Sequence, residues 1–299
     1  MSSQRSRAIC VLFVCLIALA AAAQTPTTAP PLMTVIRPVA NMYSAATADS
    51  DVVSQAIYAS KVAVLESKEA WVKVRTPDDY TGWMQVSDLL RPTGDAVYGA
   101  GARATLVRVN NLFANIYREA DVTKHQPLIT VPFETQLEAA AAPNNEERWL
   151  DVRLPDGRHG FIQKGDVLQL GKPLTIPEML ALARRFLGLP YTWGGTSSFG
   201  YDCSGFVQML MRQRGIIIPR DADIQAAWSG FVSVERARLE PGDLLYFGSA
   251  PDKISHTGMY IGNDQFINAT TYQTPVVRID TLAEPRWTRL LVAARRLKP

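Results

Sequence analysis

Cysteine and histidine are both scarce, with three of each in 299 residues. Cys10 and Cys15 fall inside an N-terminal apolar run, so Cys203 is the lone thiol of everything that follows. A lone thiol cannot build an internal disulfide framework. No Cys and His stand at metal-ligand spacing, so neither a metal nor any other cofactor is expected. Charge of one sign is not in excess either. The formal net charge is +3, which gives no argument for nucleic-acid binding. Long hydrophobic runs are lacking, since Ala8 to Ala20 is too short for a comfortable bilayer span. Against these absences, 47% hydrophobic and 20% charged residues describe a chain able to bury a packed core.

The N-terminus has the grammar of an export signal. Arg5 and Arg7 supply a charged start, and Ala21-Ala22-Ala23 before Gln24 supplies small residues for cleavage. Residues 1–23 are therefore expected to be a signal peptide, and the mature protein to be secreted or periplasmic with no stable membrane span. The competing reading is an uncleaved anchor helix. No cysteine follows the small residues, so no lipid attachment is expected. Loss of Arg5 and Arg7 takes the formal charge from +3 to +1. Residues 24–31 are a polar, Pro-rich linker.

An internal repeat follows. Trp71-Val72-Lys73-Val74-Arg75-Thr76-Pro77-Asp78 is echoed by Trp149-Leu150-Asp151-Val152-Arg153-Leu154-Pro155-Asp156. The same offset of 78 residues matches Gly82-Trp83 to Gly160-Phe161 and Asp88 to Asp166, without a gap. Each copy alternates apolar and polar residues around a Pro-Asp turn, which suits a small β-barrel of short strands. The two copies are placed at 32–92 and 100–170.

From Gly171 the grammar changes. Helices are expected over Pro177 to Leu187, Cys203 to Gln213 and Asp221 to Trp228, with Asp202 as N-cap of the second and Gly215 as its stop. Strands are expected at Leu244–Phe247, Thr257–Ile261, Gln265–Thr270 and Leu290–Arg295. Helices first and antiparallel strands later make residues 173–299 an α+β domain.

The chemistry centres on Cys203, which a Gly-rich loop delivers to the first turn of a helix. Free N–H groups and the helix dipole favour a thiolate there. Cys203 can instead be an inert, buried residue. The Gly-rich approach and the polar neighbours Asp202 and Ser204 argue for exposure. A nucleophilic Cys needs a base. His125 and His159 fall in the repeats, so His256 is the candidate by elimination. A three-residue hairpin loop at Gly262-Asn263-Asp264 would set Gly258 opposite Asn268. His256 and Asn268 then share a sheet face, one diagonal step apart. An Asn oxygen can hold the imidazole N–H, although a solvent-facing strand position explains Asn268 equally well.

At this point the sequence resembles a known family. Tyr191-Thr192-Trp193-Gly194-Gly195, Asp202-Cys203-Ser204-Gly205-Phe206-Val207, Pro219-Arg220-Asp221 with Gln225, Pro241-Gly242-Asp243-Leu244, Ser255-His256-Thr257-Gly258 and Phe266-Ile267-Asn268-Ala269 look like the NlpC-type (NlpC/P60) cell-wall cysteine peptidases. The repeats resemble bacterial SH3-type (SH3b) domains. Together they resemble the YkfC-like γ-D-glutamyl-L-diamino acid endopeptidases. The resemblance implies a papain-like α+β catalytic domain, helices packed on an antiparallel sheet, behind two SH3-like barrels. It implies Cys203 as nucleophile, His256 as base, Asn268 in the third polar position and Tyr191 beside the oxyanion hole. It further implies Asp202 and Ser204 as holders of a substrate amine and carboxylate. Tyr80 is by position the residue that the first repeat would add to the cleft. Arg220 either binds a substrate carboxylate or pairs internally with Asp221 or Asp223. The implied partner is a peptidoglycan-derived peptide of the L-Ala-γ-D-Glu-diaminopimelate type with a free N-terminus. Two other readings use the same residues: a non-catalytic cell-wall binding protein, and a thiol amidase or acyltransferase on the same fold.

Overall fold

The computed structural model describes residues 29–92, 98–99, 105–140 and 148–298. The expected signal peptide and residues 24–28 of the expected linker lie outside the described residues.

The first repeat folds as strands β1 (Leu32–Val35), β2 (Val39–Tyr43), β3 (Val52–Ile57), β4 (Lys61–Lys68), β5 (Trp71–Arg75), β6 (Thr81–Gln85) and β7 (Leu89–Leu90). The second folds as β8 (Thr105–Val109), β9 (Phe113–Tyr117), β10 (Ile129–Pro132), β11 (Gln136–Ala139), β12 (Trp149–Arg153), β13 (His159–Gln163) and β14 (Val167–Gln169). Their strand orders are β3-β2-β6-β5-β4-β1-β7 and β10-β9-β13-β12-β11-β8-β14, one topology used twice. Alternation does the folding. In β5, Val72 and Val74 turn inward while Trp71, Lys73 and Arg75 turn outward. The inward rows meet as separate cores, Met33, Val35, Met42, Val72, Val74 and Met84 in the first sheet and Val107, Val109, Ile116, Leu137, Val152 and Ile162 in the second.

The third region begins with α1 (Ile176–Arg184). It starts one residue before the expected Pro177, because Thr175 and Glu178 form a capping box. After the hairpin β15 (Thr196–Ser197) and β16 (Gly200–Tyr201) comes α2 (Cys203–Gln213), with the expected ends and the expected cap at Asp202. Helix α3 (Ala222–Ala227) is followed by β17 (Phe231–Ser233), β18 (Leu244–Gly248), β19 (Ile254–Gly262), β20 (Gln265–Thr270), β21 (Val276–Thr281), α4 (Pro285–Leu290) and β22 (Leu291–Leu297). The sheet order is β17-β22-β18-β19-β20-β21, all antiparallel. One face packs on α1 and α2 through Met179, Phe206, Leu210, Tyr246, Met259 and Ile267. The other packs on α4 through Phe247, Phe266 and Trp287. Among the described residues no helix is long and apolar enough to cross a membrane.

Both N-terminal sheets dock on this region. Strand β3 lies along the loop before Cys203. Gln55 accepts from the Thr196 N–H at 3.2 Å, and the Thr196 hydroxyl donates to the Gln55 carbonyl at 3.1 Å. Asp78 accepts from Gln208 of α2 at 2.8 Å. The second sheet holds the far end of α2, where Glu134 accepts from Arg212 at 2.7 Å and from Gln213 at 2.6 Å.

Candidate active site

The site starts from the way α2 meets the loop in front of it. A Cβ on Gly205 would run into the Gly195 carbonyl, and one on Gly195 would run into the Gly200 carbonyl. Two glycines thus let the helix start touch the loop backbone. Asp202 closes the helix as N-cap, accepting from the Gly205 N–H at 2.7 Å.

Cys203 is 9% exposed, so the expected exposure is corrected. The Thr257 N–H reaches its sulfur from β19. Burial pushes the thiol up to about 12, and the Asp202 carboxylate adds to the rise, while the N–H groups of Thr257 and Ser204 oppose it. The expected thiolate-favouring environment is therefore outweighed in the resting protein. Asp202 already holds the Gly205 N–H of the first turn, and an anion at Cys203 would lie beside that carboxylate.

His256 is adjacent to Thr257 on β19. Its ring stacks on the Trp287 indole, centroids 5.2 Å apart and planes 27° from parallel, and meets the ring of Phe247 at 5.7 Å. This apolar cover pushes its pKa down to about 4, against the Asn268 bond and with help from Arg286. His256 Nε2 lies 2.8 Å from Asn268 Oδ1. The Asn268 amide nitrogen donates to Asp280 Oδ2 at 3.0 Å and to the Arg278 carbonyl at 3.3 Å. That network assigns the oxygen of Asn268 to the ring, so Nε2 carries the proton and Nδ1 has a free lone pair. Neutral His256 is thus prepared to accept a proton at Nδ1.

The hairpin that aligns His256 and Asn268 departs from expectation in its turn. Met259 pairs with Ile267, the register expected. The turn is two residues, Asn263 and Asp264, both with positive φ, and a bulge between Tyr260 and Gly262 absorbs the extra position.

Tyr191 is half-buried beside Cys203 and Asp202, and its hydroxyl is pushed well above its ordinary pKa, chiefly by burial. Arg220 is 2% exposed and turned inward. Its Nε donates to Ser54 of β3 at 3.1 Å, and its terminal nitrogens donate to Ser204 at 2.7 Å and to Asp202 at 3.1 and 2.5 Å. Its ion-pair partner is Asp202, not the expected Asp221 or Asp223. The carboxylate 18 positions back in sequence is the one facing it across the buried layer. Tyr80 packs near Arg220 and bonds Asp221, and burial with the Asp221 charge lifts its hydroxyl to about 12. Tyr80, Asp221, Ile224 and Trp228 line a cavity of about 530 Å³. The corresponding Arg158 of the second repeat folds back on Asp156 instead. His159 lies on β13 and His125 in the loop between β9 and β10, both exposed and paired with Asp151 and Glu119 respectively.

Sequence reasoning passed over Ser54, Asp280 and Trp287. Strand β21, which carries Asp280, had a legible signal in the alternation Val277-Arg278-Ile279-Asp280. Ser54 and Trp287 gave none, because each reaches the site only through tertiary packing.

Comparison with known proteins agrees with this architecture. The family model described as NlpC/P60 family matches residues 188–296, and that of the bacterial dipeptidyl-peptidase SH3 domain matches 42–89. A γ-D-glutamyl-L-lysine dipeptidyl-peptidase of Bacillus cereus is 31% identical over 261 residues, 82% of this chain and 75% of that protein. One from Bacillus subtilis is 29% identical, over 83% of this chain and 82% of its own length. The crystal structure of an NlpC/P60 family protein from Bacillus cereus superposes with a TM-score of 0.75 at 26% identity, covering 90% of this chain and 100% of that one. Fold and relatives define a peptidase with an SH3-like N-terminal region. The chain belongs to the NlpC/P60 family.

Proposed function

We propose that this protein is a cysteine endopeptidase of peptidoglycan stem peptides, cleaving the γ-D-glutamyl-L-diamino acid bond in short peptides with a free N-terminal L-Ala. The observation that carries the reading is the His256–Asn268 bond. It leaves Nδ1 as the proton acceptor on a strand whose next residue touches the Cys203 sulfur. The likeness to two γ-D-glutamyl-L-lysine dipeptidyl-peptidases over most of the chain supports the substrate class.

In this mechanism the thiol proton moves to His256 Nδ1 as the sulfur attacks the γ-glutamyl carbonyl. The resting pair is neutral, so charge separates only when substrate is present. The Cys203 N–H and the Tyr191 hydroxyl stabilise the oxyanion. Collapse breaks the C–N bond, and the imidazolium returns its proton to the leaving amine. Water then attacks the thioester with Nδ1 as base, releasing the glutamyl product and the thiol.

Asp202 keeps one acceptor direction free. Among the described residues its Oδ1 takes three donors and its Oδ2 takes one, Arg220. Oδ2 can therefore receive the substrate ammonium, with the Ser204 hydroxyl turning from Asp202 Oδ1 to donate to a substrate carboxylate and Tyr80 closing the end of the cleft. Arg220 acts by holding Asp202 and Ser204 in place. The seven-stranded sheets are SH3-like barrels at 32–92 and 100–170, the papain-like catalytic domain is 173–299, and the protein is exported behind a cleaved leader.

The test is mass-spectrometric digestion of L-Ala-γ-D-Glu-diaminopimelate, free and N-acetylated, by wild type and Cys203→Ala. Release of diaminopimelate from the free peptide only, and by wild type only, is expected. Equal cleavage of both peptides overturns the amine-binding role of Asp202. No cleavage, with binding to cell-wall sacculi retained, overturns the peptidase reading in favour of a binding protein.

A further inference from the structure

The strand register sets three polar side chains in one diagonal row. His256 is on β19, Asn268 on β20 and Asp280 on β21. Asn268 pairs directly with Arg278, which puts Asp280 two residues on and on the same face. The inner two members of the row are closed to water: Asn268 is 0% exposed and the Asp280 side chain 1%. A primary amide is nearly symmetric in shape, so only its partners decide which end faces His256. The oxygen end gives the Nε2–H tautomer. The nitrogen end would force the proton onto Nδ1 and remove the acceptor that the thiol needs.

We propose that Asp280 is a positioning residue that fixes the Asn268 amide and thereby sets the tautomer of His256. Its Oδ2 takes the Asn268 N–H at 3.0 Å, and its Oδ1 is held by Arg278 at 2.7 Å. Arg278 in turn is held by Gln273 at 3.2 Å. A carboxylate offers only acceptors, so it presents nothing that would tolerate the flipped amide oxygen. The second acceptor of the Asn268 amide, the Arg278 carbonyl at 3.3 Å, is longer and leaves Asp280 as the stronger constraint. Asp280 touches neither substrate nor the reacting sulfur. The inference rests on the proposed Cys203–His256 reaction only for its kinetic consequence, because the tautomer can be read without turnover.

The experiment uses full-length protein labelled with 15N-histidine, wild type and the variants Asp280→Ala and Asp280→Asn. His256→Gln identifies the His256 signals against those of His125 and His159. At pH 7 the wild-type ring is expected to be neutral and protonated at Nε2. Asp280→Ala is expected to shift it toward the Nδ1–H form. Asp280→Asn is expected to shift it less, since one acceptor oxygen remains. On the tripeptide substrate, kcat is expected to fall roughly 10–100-fold in Asp280→Ala with KM little changed, the loss typical when the outer partner of a functional His is removed. In an Asn268→Ala background the same substitution is expected to have no further effect on kcat. An unchanged tautomer in both variants overturns the proposal, as does a loss of kcat that adds in full to that of Asn268→Ala. If Asp280→Ala does not fold, the tautomer of Asp280→Asn decides by the same criterion. Failure of wild type to cleave the substrate would count against the proposed function and leave the tautomer result standing.

Discussion

Trp287 lies flat against His256, with 5.2 Å between ring centroids. The indole comes from α4 and is 2% exposed, so it is a wall of the core that also forms one side of the proposed base. Its position explains why His256 is held neutral. Water cannot reach that face to solvate an imidazolium.

The first prediction concerns pH. Nδ1 must be unprotonated to take the thiol proton, and the His256 pKa is pushed down to about 4. The acid limb of kcat/KM is therefore expected near pH 4, well below the usual imidazole range. Trp287→Ala removes the apolar cover and is expected to move that limb upward, with Arg286 still opposing the charged ring. The same truncation is expected to cost about 3–5 kcal/mol of stability. A pH–rate profile of both proteins checks the shift.

Linkage gives the same group a second signature. A His with a depressed folded pKa stabilises the fold fully above its unfolded value, and that contribution is lost as pH falls toward the folded value. Stability is therefore expected to decline from about pH 6.5 down to 4, and His256→Gln is expected to lose less over this window. Urea titrations at several pH values measure it.

Thiol reactivity follows from burial. With Cys203 pushed up to about 12, alkylation of the free enzyme by iodoacetamide at pH 7 is expected to be slower than that of an exposed cysteine, about 8.5 in pKa. The rate is expected to rise with pH without a plateau near neutrality. A fast, pH-independent rate between pH 5 and 8 would mean a preformed thiolate–imidazolium pair. A stopped assay with mass detection gives the answer.

Arg220 is the stability prediction. Arg220→Ala leaves the Asp202 carboxylate, with 11% of its side chain exposed, without its cation. Breaking such a pair is expected to cost about 3–5 kcal/mol. Arg220→Lys keeps the charge but loses the fork that reaches Asp202, Ser204 and Ser54 together, so partial recovery is expected. Chemical denaturation of both variants ranks them.

Gly205→Ala tests the close approach of α2 to its loop. The added methyl meets the backbone of Gly195, which cannot rotate away as a side chain would. A loss of about 1–3 kcal/mol is expected from the overpacking, with a larger fall in kcat because Cys203 moves with the helix start. Thermal melts and turnover on the same preparation separate the two effects.

Much of this arrangement was legible beforehand, for identifiable reasons. Helix α2 has its cap, its stop and its apolar face within one short stretch, so local rules fixed both ends. The His256–Asn268 alignment follows from the period-2 geometry of a hairpin, even though the turn is one residue shorter than the sequence predicts. What escaped was set by packing between distant segments. The Asp202–Arg220 pair forms across 18 residues, with sequence neighbours Asp221 and Asp223 offering themselves as plausible partners. The burial of Cys203 is not legible locally, because its polar neighbours Asp202 and Ser204 are themselves buried and bound by Arg220.

Strand β3 gives Ser54 to Arg220 and Gln55 to the loop ahead of Cys203. The N-terminal sheet is therefore built into the proposed catalytic centre and is not cargo carried on a tether. A targeting module on a flexible linker can be traded for another, and only the address changes. Here a trade would strip an acceptor from the buried guanidinium and a brace from the glycine loop. A change at Ser54 or Gln55 therefore reaches the surroundings of Cys203 through Arg220 and Thr196.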